Sequence, residues 1–176
     1  MNIFATDISP RKSAEDLDNK RVIKMILECA QMLCTALHQN GGSAYAKYKT
    51  THINHPSNVW ARTTRSNYEW LLDHMKALCS EYTRRYNKKH NCESMLTDLT
   101  FGARYIPAGP LTPFANCAAR KDMGLDFKHV ADVHLAYKLY LIRRWASDSK
   151  IPTWPNLPNW FKSYLQLGIT FGKITR

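Results

Sequence analysis

One carboxylate stands among cations on a helical stretch. From Asp16 through Thr35, Val22, Ile23, Ile26, Ala30, Leu33 and Leu37 recur at spacings of three and four and so share one face. At about 100° per residue, the opposite face collects Arg21, Lys24, Glu28, Gln31 and Thr35. Two readings fit that face. Lys24 and Glu28 can be an i,i+4 ion pair in solvent, worth a few tenths of a kcal/mol. Alternatively Glu28 is a catalytic acid or base held in a positive site. The residues alone leave both open.

The elements that must position Glu28 follow from the same patterning. Ser13 with Asp16 reads as a capping box at the helix start, and Asn40-Gly41-Gly42 ends it. The polar connection from Gly41 to Thr51 interleaves Tyr45 and Tyr48 with Lys47 and Lys49, either to stack bases or to pack on the domain. Ser57, after Pro56, caps a second long helix that runs to Lys88 with a bend near Thr63-Thr64. Tyr68, Leu71, Leu72, Met75, Leu78, Cys79 and Tyr82 form its buried stripe, and its other faces carry Arg62, Arg65, Lys76, Arg84 and Arg85. A short helical piece is expected near Glu93 to Leu99. An irregular Gly- and Pro-rich segment follows from Thr100 to Asp126, in which Tyr105, Phe114, Asn116, Arg120 and Lys121 could line a groove. A third long helix is expected from Phe127 to Ala146, with Arg143, Arg144 and Trp145 near its end. An aromatic tail wrapped on the core comes last, with a short helix at Lys162 to Leu167. The expectation is an all-α fold, residues 1–176 forming one domain of three long helices.

Composition narrows the partner. Lys and Arg number 25 against 14 Asp and Glu, a net charge of +11 on 176 residues. That excess points to a polyanion, and nucleic acid comes first. The basic residues are spread over several helices, which disfavours a membrane surface; no apolar run approaches a membrane span and no secretory leader is read. The five cysteines form no Cys-x-x-Cys pair and read as reduced intracellular thiols that pack as small apolar groups. His52 and His55, three apart, invite a metal reading, but three or four ligands are needed and no carboxylate or thiol stands at a recognisable spacing. DNA-facing or structural hydrogen-bonding roles are expected of both, with no metal and no cofactor. Phosphate-loop, dinucleotide and Gly-x-Ser-x-Gly motifs are absent, and tight helix-turn-helix spacing is not found.

A basic, helical, cofactor-free chain with one acid on a polar helix face resembles the phage pyrimidine-dimer DNA glycosylases with abasic-site lyase activity, the endonuclease V family. That family has a short Ile-containing start and then a helix reading Asp-Gln-His, with a catalytic Glu seven residues after the His. Here Asn19-Lys20-Arg21 takes that place, and Glu28 falls seven after Arg21. A His-containing loop and long Leu-, Arg- and Lys-rich helix follow, as in His55 through Arg85, and Pro152-Thr153-Trp154 follows the third long helix. The chain departs at Leu27 and Gln31, where the family has arginines, at Arg21 in place of the His, and at the N-terminal Thr.

The resemblance implies a metal-independent enzyme in which an amine attacks the sugar C1′, an imine forms and a carboxylate handles protons. Opening a weakly stacked, damaged site helps selectivity. Asn2 is too large for the usual removal of the initiator, so Met1 is expected to be retained and to stand where the family's Thr supplies its α-amine. An α-amine ordinarily has a pKa of about 7.7–8.0, against about 10.4 for lysine. Lys20 and Lys24 are the alternative nucleophiles. The expected chemistry is therefore at Glu28, Met1 and Lys24, with Asn2, Lys20, Arg21, Gln31, His52, His55, Arg62, Arg65 and Lys88 on DNA. The expected partner is damaged double-stranded DNA, met by a monomeric, phage-encoded protein in the host cytoplasm. Two other readings stay open: a non-enzymatic basic phage DNA-binding protein, and an enzyme acting on modified nucleotides.

Overall fold

Val22, Ile26, Ala30, Leu33 and Leu37 all lie fully buried along one side of helix α2, Asn19–Gln39. The computed structural model describes residues 1–166. A short helix α1, Pro10–Glu15, precedes α2; α3, Pro56–Thr63, and α4, Arg65–Tyr86, pack across and along it. The smaller α5, Leu96–Gly102, comes next, then a hairpin of β1, Ala119–Arg120, and β2, Leu125–Asp126, then α6, Val133–Ser147, and α7, Asn159–Gln166. The two strands pair antiparallel, Ala119 opposite Asp126 and Arg120 opposite Leu125. One continuous apolar core joins residues of all the α-helices. The fold is mainly α, as the periodicity predicts.

The bend expected at Thr63-Thr64 is a full break. Thr64 is extended, with φ −137° and ψ 155°, and its hydroxyl accepts from the Asn67 amide to cap α4. α2 ends at Asn40, and Gly41 follows with φ +81°, a conformation that favours glycine. Several expected boundaries need correction. Ser13 and Asp16 form no capping box for α2: Ser13 bonds the backbone of Asp7, Asp16 accepts from the Thr6 hydroxyl, and α2 starts later, after Asp18. His55, not Ser57, caps α3, its Nδ1 accepting from the Ser57 amide. α6 begins at Val133 because the Asp132 carboxylate accepts from the amides of His134 and Leu135. Ile23, read as a core residue, is 40% exposed. Tyr45 packs on Tyr105, and the Tyr48 hydroxyl meets Cys92, so both settle on the domain. Leu167 lies outside the described residues.

The aromatic tail wraps on the core as expected. The Thr153 carbonyl accepts from the Asn19 amide at 2.9 Å, and the Trp154 indole donates to the Asp16 carbonyl at 3.0 Å. Trp145, fully buried in α6, packs edge-on against Trp154 and donates to Asp18 Oδ1 at 2.8 Å. All five cysteines are free. No helix among the described residues is long and apolar enough to cross a membrane.

α4 also holds the N-terminal segment from beneath. The Trp70 indole donates to the Ile8 carbonyl at 2.7 Å, and His74, fully buried, bonds the Pro10 carbonyl through Nδ1 at 2.8 Å. Burial lowers the His74 imidazole to about 4, against the usual 6.5. The folded chain therefore keeps His74 neutral where the unfolded chain would take up a proton. This contribution to stability is fully present above about pH 6.5 and is lost as pH falls through about 4, on the order of 3 kcal/mol in all. Urea midpoints at pH 7 and pH 5 check it. The drop expected in the wild type should shrink in His74→Asn, and equal drops in both proteins would remove His74 from the acid response.

Candidate active site

The polar side of α2 is covered by the first residues of the chain. The Asn2 amide donates to Glu28 Oε2 at 2.8 Å, and the Met1 α-ammonium lies 3.8 Å from the same oxygen. Lys24 Nζ lies 3.3 Å from Oε1. Glu28 is only 9% exposed. The Lys24–Glu28 pair of the sequence reading thus exists, but the face it occupies is not a solvated one. Lys24 is itself largely exposed, so the pair adds little stability. The backbone amide and the α-ammonium are what satisfy a carboxylate held out of water.

Several side chains fix the α-amine in place. Asn2 Oδ1 accepts from the amides of Ile3 and Phe4, at 2.8 and 3.1 Å, and Asn2 Nδ2 donates to the Cys117 carbonyl. This turn holds Phe4 at φ +45°, a conformation costly for a bulky side chain. The Phe4 ring is stacked on Tyr140 and set edge-on to Tyr137, which offsets that cost through packing. The Tyr137 hydroxyl accepts from the Cys117 amide and donates to the Ala115 carbonyl, so α6 steadies the loop that receives Asn2. Asn58, fully buried in α3, donates through Nδ2 to the carbonyls of Thr51 and His52 and to the sulfur of Met1.

Met1, Asn2 and Glu28 line a cavity of about 460 Å³, within the usual size of small-molecule sites, about 300–1,000 Å³. Lys20, Lys24 and His55 line it as well, together with Arg120, Tyr140 and Arg144 from the later part of the chain. Glu28 is the single carboxylate among the lining residues. Burial first, and then the adjacent N-terminal ammonium and His52, hold the His55 imidazole below its ordinary pKa, so His55 is neutral near pH 7. Burial also lowers the Arg144 guanidinium, whose contacts are the Met123 sulfur and, at 3.9 Å, Asp148. An amine, a carboxylate and uncharged imidazole, ringed by cations, can attack an electrophilic carbon and shuttle protons beside an anionic strand.

The expected site residues divide into groups. Met1, Asn2, Lys20, Arg21, Lys24, Glu28 and His55 come together at the cavity. Asn2 and Arg21 are buried there, Arg21 bonding both Asp18 and Asp148 at 2.9 Å. Gln31 lies about one turn beyond Glu28 on α2, half-buried, and His52 is exposed on the loop before α3. Arg62 donates to the Ile53 carbonyl, and Arg65 to the carbonyls of Arg104 and Ile106, so both brace loops. Lys88 is exposed past the end of α4. Of the irregular segment, Arg120 reaches the cavity. Asn58, Tyr140 and the Cys117 carbonyl were missed. A polar residue on the buried face of a short helix was the available signal for Asn58, whereas Tyr140 and Cys117 meet Asn2 and Phe4 only through tertiary packing. Among the described residues no group of three or more His, Cys, Asp or Glu is placed to hold a metal ion.

Residues 1–94 match the family model described as pyrimidine dimer DNA glycosylase. No curated protein and no solved structure matches the chain.

The turn built on Asn2 makes a direct prediction. Asn2→Leu keeps a bulky second residue but removes the acceptor for two amides. Turnover on photodimer-containing DNA should fall by about 100-fold, since misplacing a reacting group by about 1 Å costs that much. Asn2→Asp, which keeps the acceptor, should recover a large part. Steady-state kinetics at saturating DNA check this; full turnover in Asn2→Leu would show that the turn does not position the amine.

Proposed function

The chain belongs to the pyrimidine dimer DNA glycosylase family, DNA-repair enzymes whose substrate is DNA; on that premise we propose that it excises photodimer bases and then cuts the abasic strand, with the Met1 α-amine as nucleophile. The unprotonated amine adds its lone pair to C1′ as the glycosidic bond breaks. That bond's electron pair leaves on the base nitrogen, which takes up a proton. The C1′–O4′ bond then opens, O4′ gains a proton, and an imine links Met1 to the sugar. Glu28 removes a proton from C2′, and the electrons expel the 3′ phosphate by breaking C3′–O3′.

The observation that carries this reading is the approach of the α-amine to within 3.8 Å of the lone carboxylate of a cationic cavity. In this reading Glu28 relays protons from the amine and stabilises the cationic sugar. His55, held uncharged by burial, can accept a proton at the same cavity. Lys20, Lys24 and Arg144 supply attraction for the phosphates on either side of the damaged nucleotide.

Ultraviolet-irradiated and untreated supercoiled plasmids in EDTA test the proposal. Nicking confined to irradiated DNA is expected, and Glu28→Gln should bind as the wild type does while cleaving about 10²–10⁴-fold more slowly. Binding without nicking would favour a basic DNA-binding protein. Cleavage by Glu28→Gln at the normal rate would remove Glu28 from the chemistry.

A further inference from the structure

Ile23 and Leu27 are 40% and 38% exposed on α2. They are four residues apart and therefore adjacent, forming one apolar strip. Lys20 and Lys24, both exposed, run along the side of the strip that is turned toward Glu28. Leu27 directly precedes Glu28 and lies about 100° from it around the helix, with Lys24 between them. Neither Ile23 nor Leu27 lines the cavity; the strip lies next to Lys20 and Lys24, which do.

A single half-exposed leucine needs no explanation. This pair is set apart by where it stands. A duplex that presents a sugar to Met1 and Glu28 must lie across the rim of α2, between cations that attract its phosphates. Resting on the glycosylase reading above, we propose that Ile23 and Leu27 are a specificity-determining wedge that packs on base faces uncovered beside the damaged nucleotide. Intact duplex keeps those faces stacked, so the strip meets only a charged, hydrated backbone there. Distorted duplex exposes them, and burying two aliphatic side chains against them favours the lesion. The flanking lysines contribute attraction that does not distinguish damaged from intact DNA. Affinity and selectivity are therefore carried by different residues of the first two turns of one helix: charge at 20 and 24, apolar contact at 23 and 27.

The test compares binding to a short duplex carrying one photodimer with binding to the same duplex undamaged, across a salt series. In Ile23→Ala/Leu27→Ala the preference for the damaged duplex should fall about tenfold or more, the scale of losing one base-stacking contact. The salt slope should not change, because no charge is removed, and Tm should fall only modestly, because both side chains are already more than a third exposed. Leu27→Lys probes proximity independently and should steepen the salt slope by about one. An unaltered preference in the double variant, or an unaltered slope in Leu27→Lys, overturns the wedge while leaving the glycosylase reading intact. A wild type that neither prefers nor nicks damaged duplex overturns both.

Discussion

The structure depends on how the Glu28 carboxylate is satisfied. It sits on the central helix, almost out of water, and takes a 2.8 Å hydrogen bond from the Asn2 amide while facing the Met1 ammonium. A buried carboxylate without partners is strongly unfavourable, so the chain start and the middle of α2 cannot separate cheaply. That single constraint brings an amine, an acid and a cavity into one place. It also explains why an otherwise polar helix face is covered by Met1 and Asn2, after which the Asn2 turn leads into Ile3 and Phe4, both buried.

The contacts between α6 and α2 show how the rest of the chain serves this arrangement. Asp18 accepts from both Arg21 and Trp145, and Arg21 also pairs with Asp148, so the two ends of α6 and α2 are locked together by buried charge-assisted bonds. On the same α6, Tyr140 and Arg144 line the cavity with Glu28, and Tyr137 steadies the loop whose Cys117 carbonyl receives Asn2. The family match ends at residue 94, yet Arg120, Tyr140 and Arg144 lie beyond it and close the same cavity. The C-terminal part of the chain therefore finishes the site that the N-terminal part begins.

Much of this was legible from periodicity. The buried stripe of α2, the long α4 with its interruption at Thr64, and the wrapped aromatic tail all follow from spacing and from residue type. Glu28 stood out because one acid among cations is conspicuous. What the sequence hid was the covering of that face. Periodicity assigns a face as polar but does not say whether solvent or another segment meets it, and the segment here is held by an Asn-built turn with a residue at positive φ. The same limit produced the misplacement of Ile23: it has helical spacing from core residues, yet it is 40% exposed. The capping box at Ser13 failed because both side chains found closer partners in the N-terminal segment, Asp7 and Thr6.

Placing the nucleophile at the chain terminus is the central claim, and Lys24, 3.3 Å from the same carboxylate, is its direct competitor. Borohydride reduction during reaction with photodimer-containing or abasic DNA, followed by peptide mapping of the protein–DNA adduct, separates the two. The account predicts one adduct, on the peptide that begins at Met1 and through its α-nitrogen. Attachment at Lys20 or Lys24 would contradict the assignment of the amine, and the absence of any adduct from an enzyme that cleaves would contradict the imine.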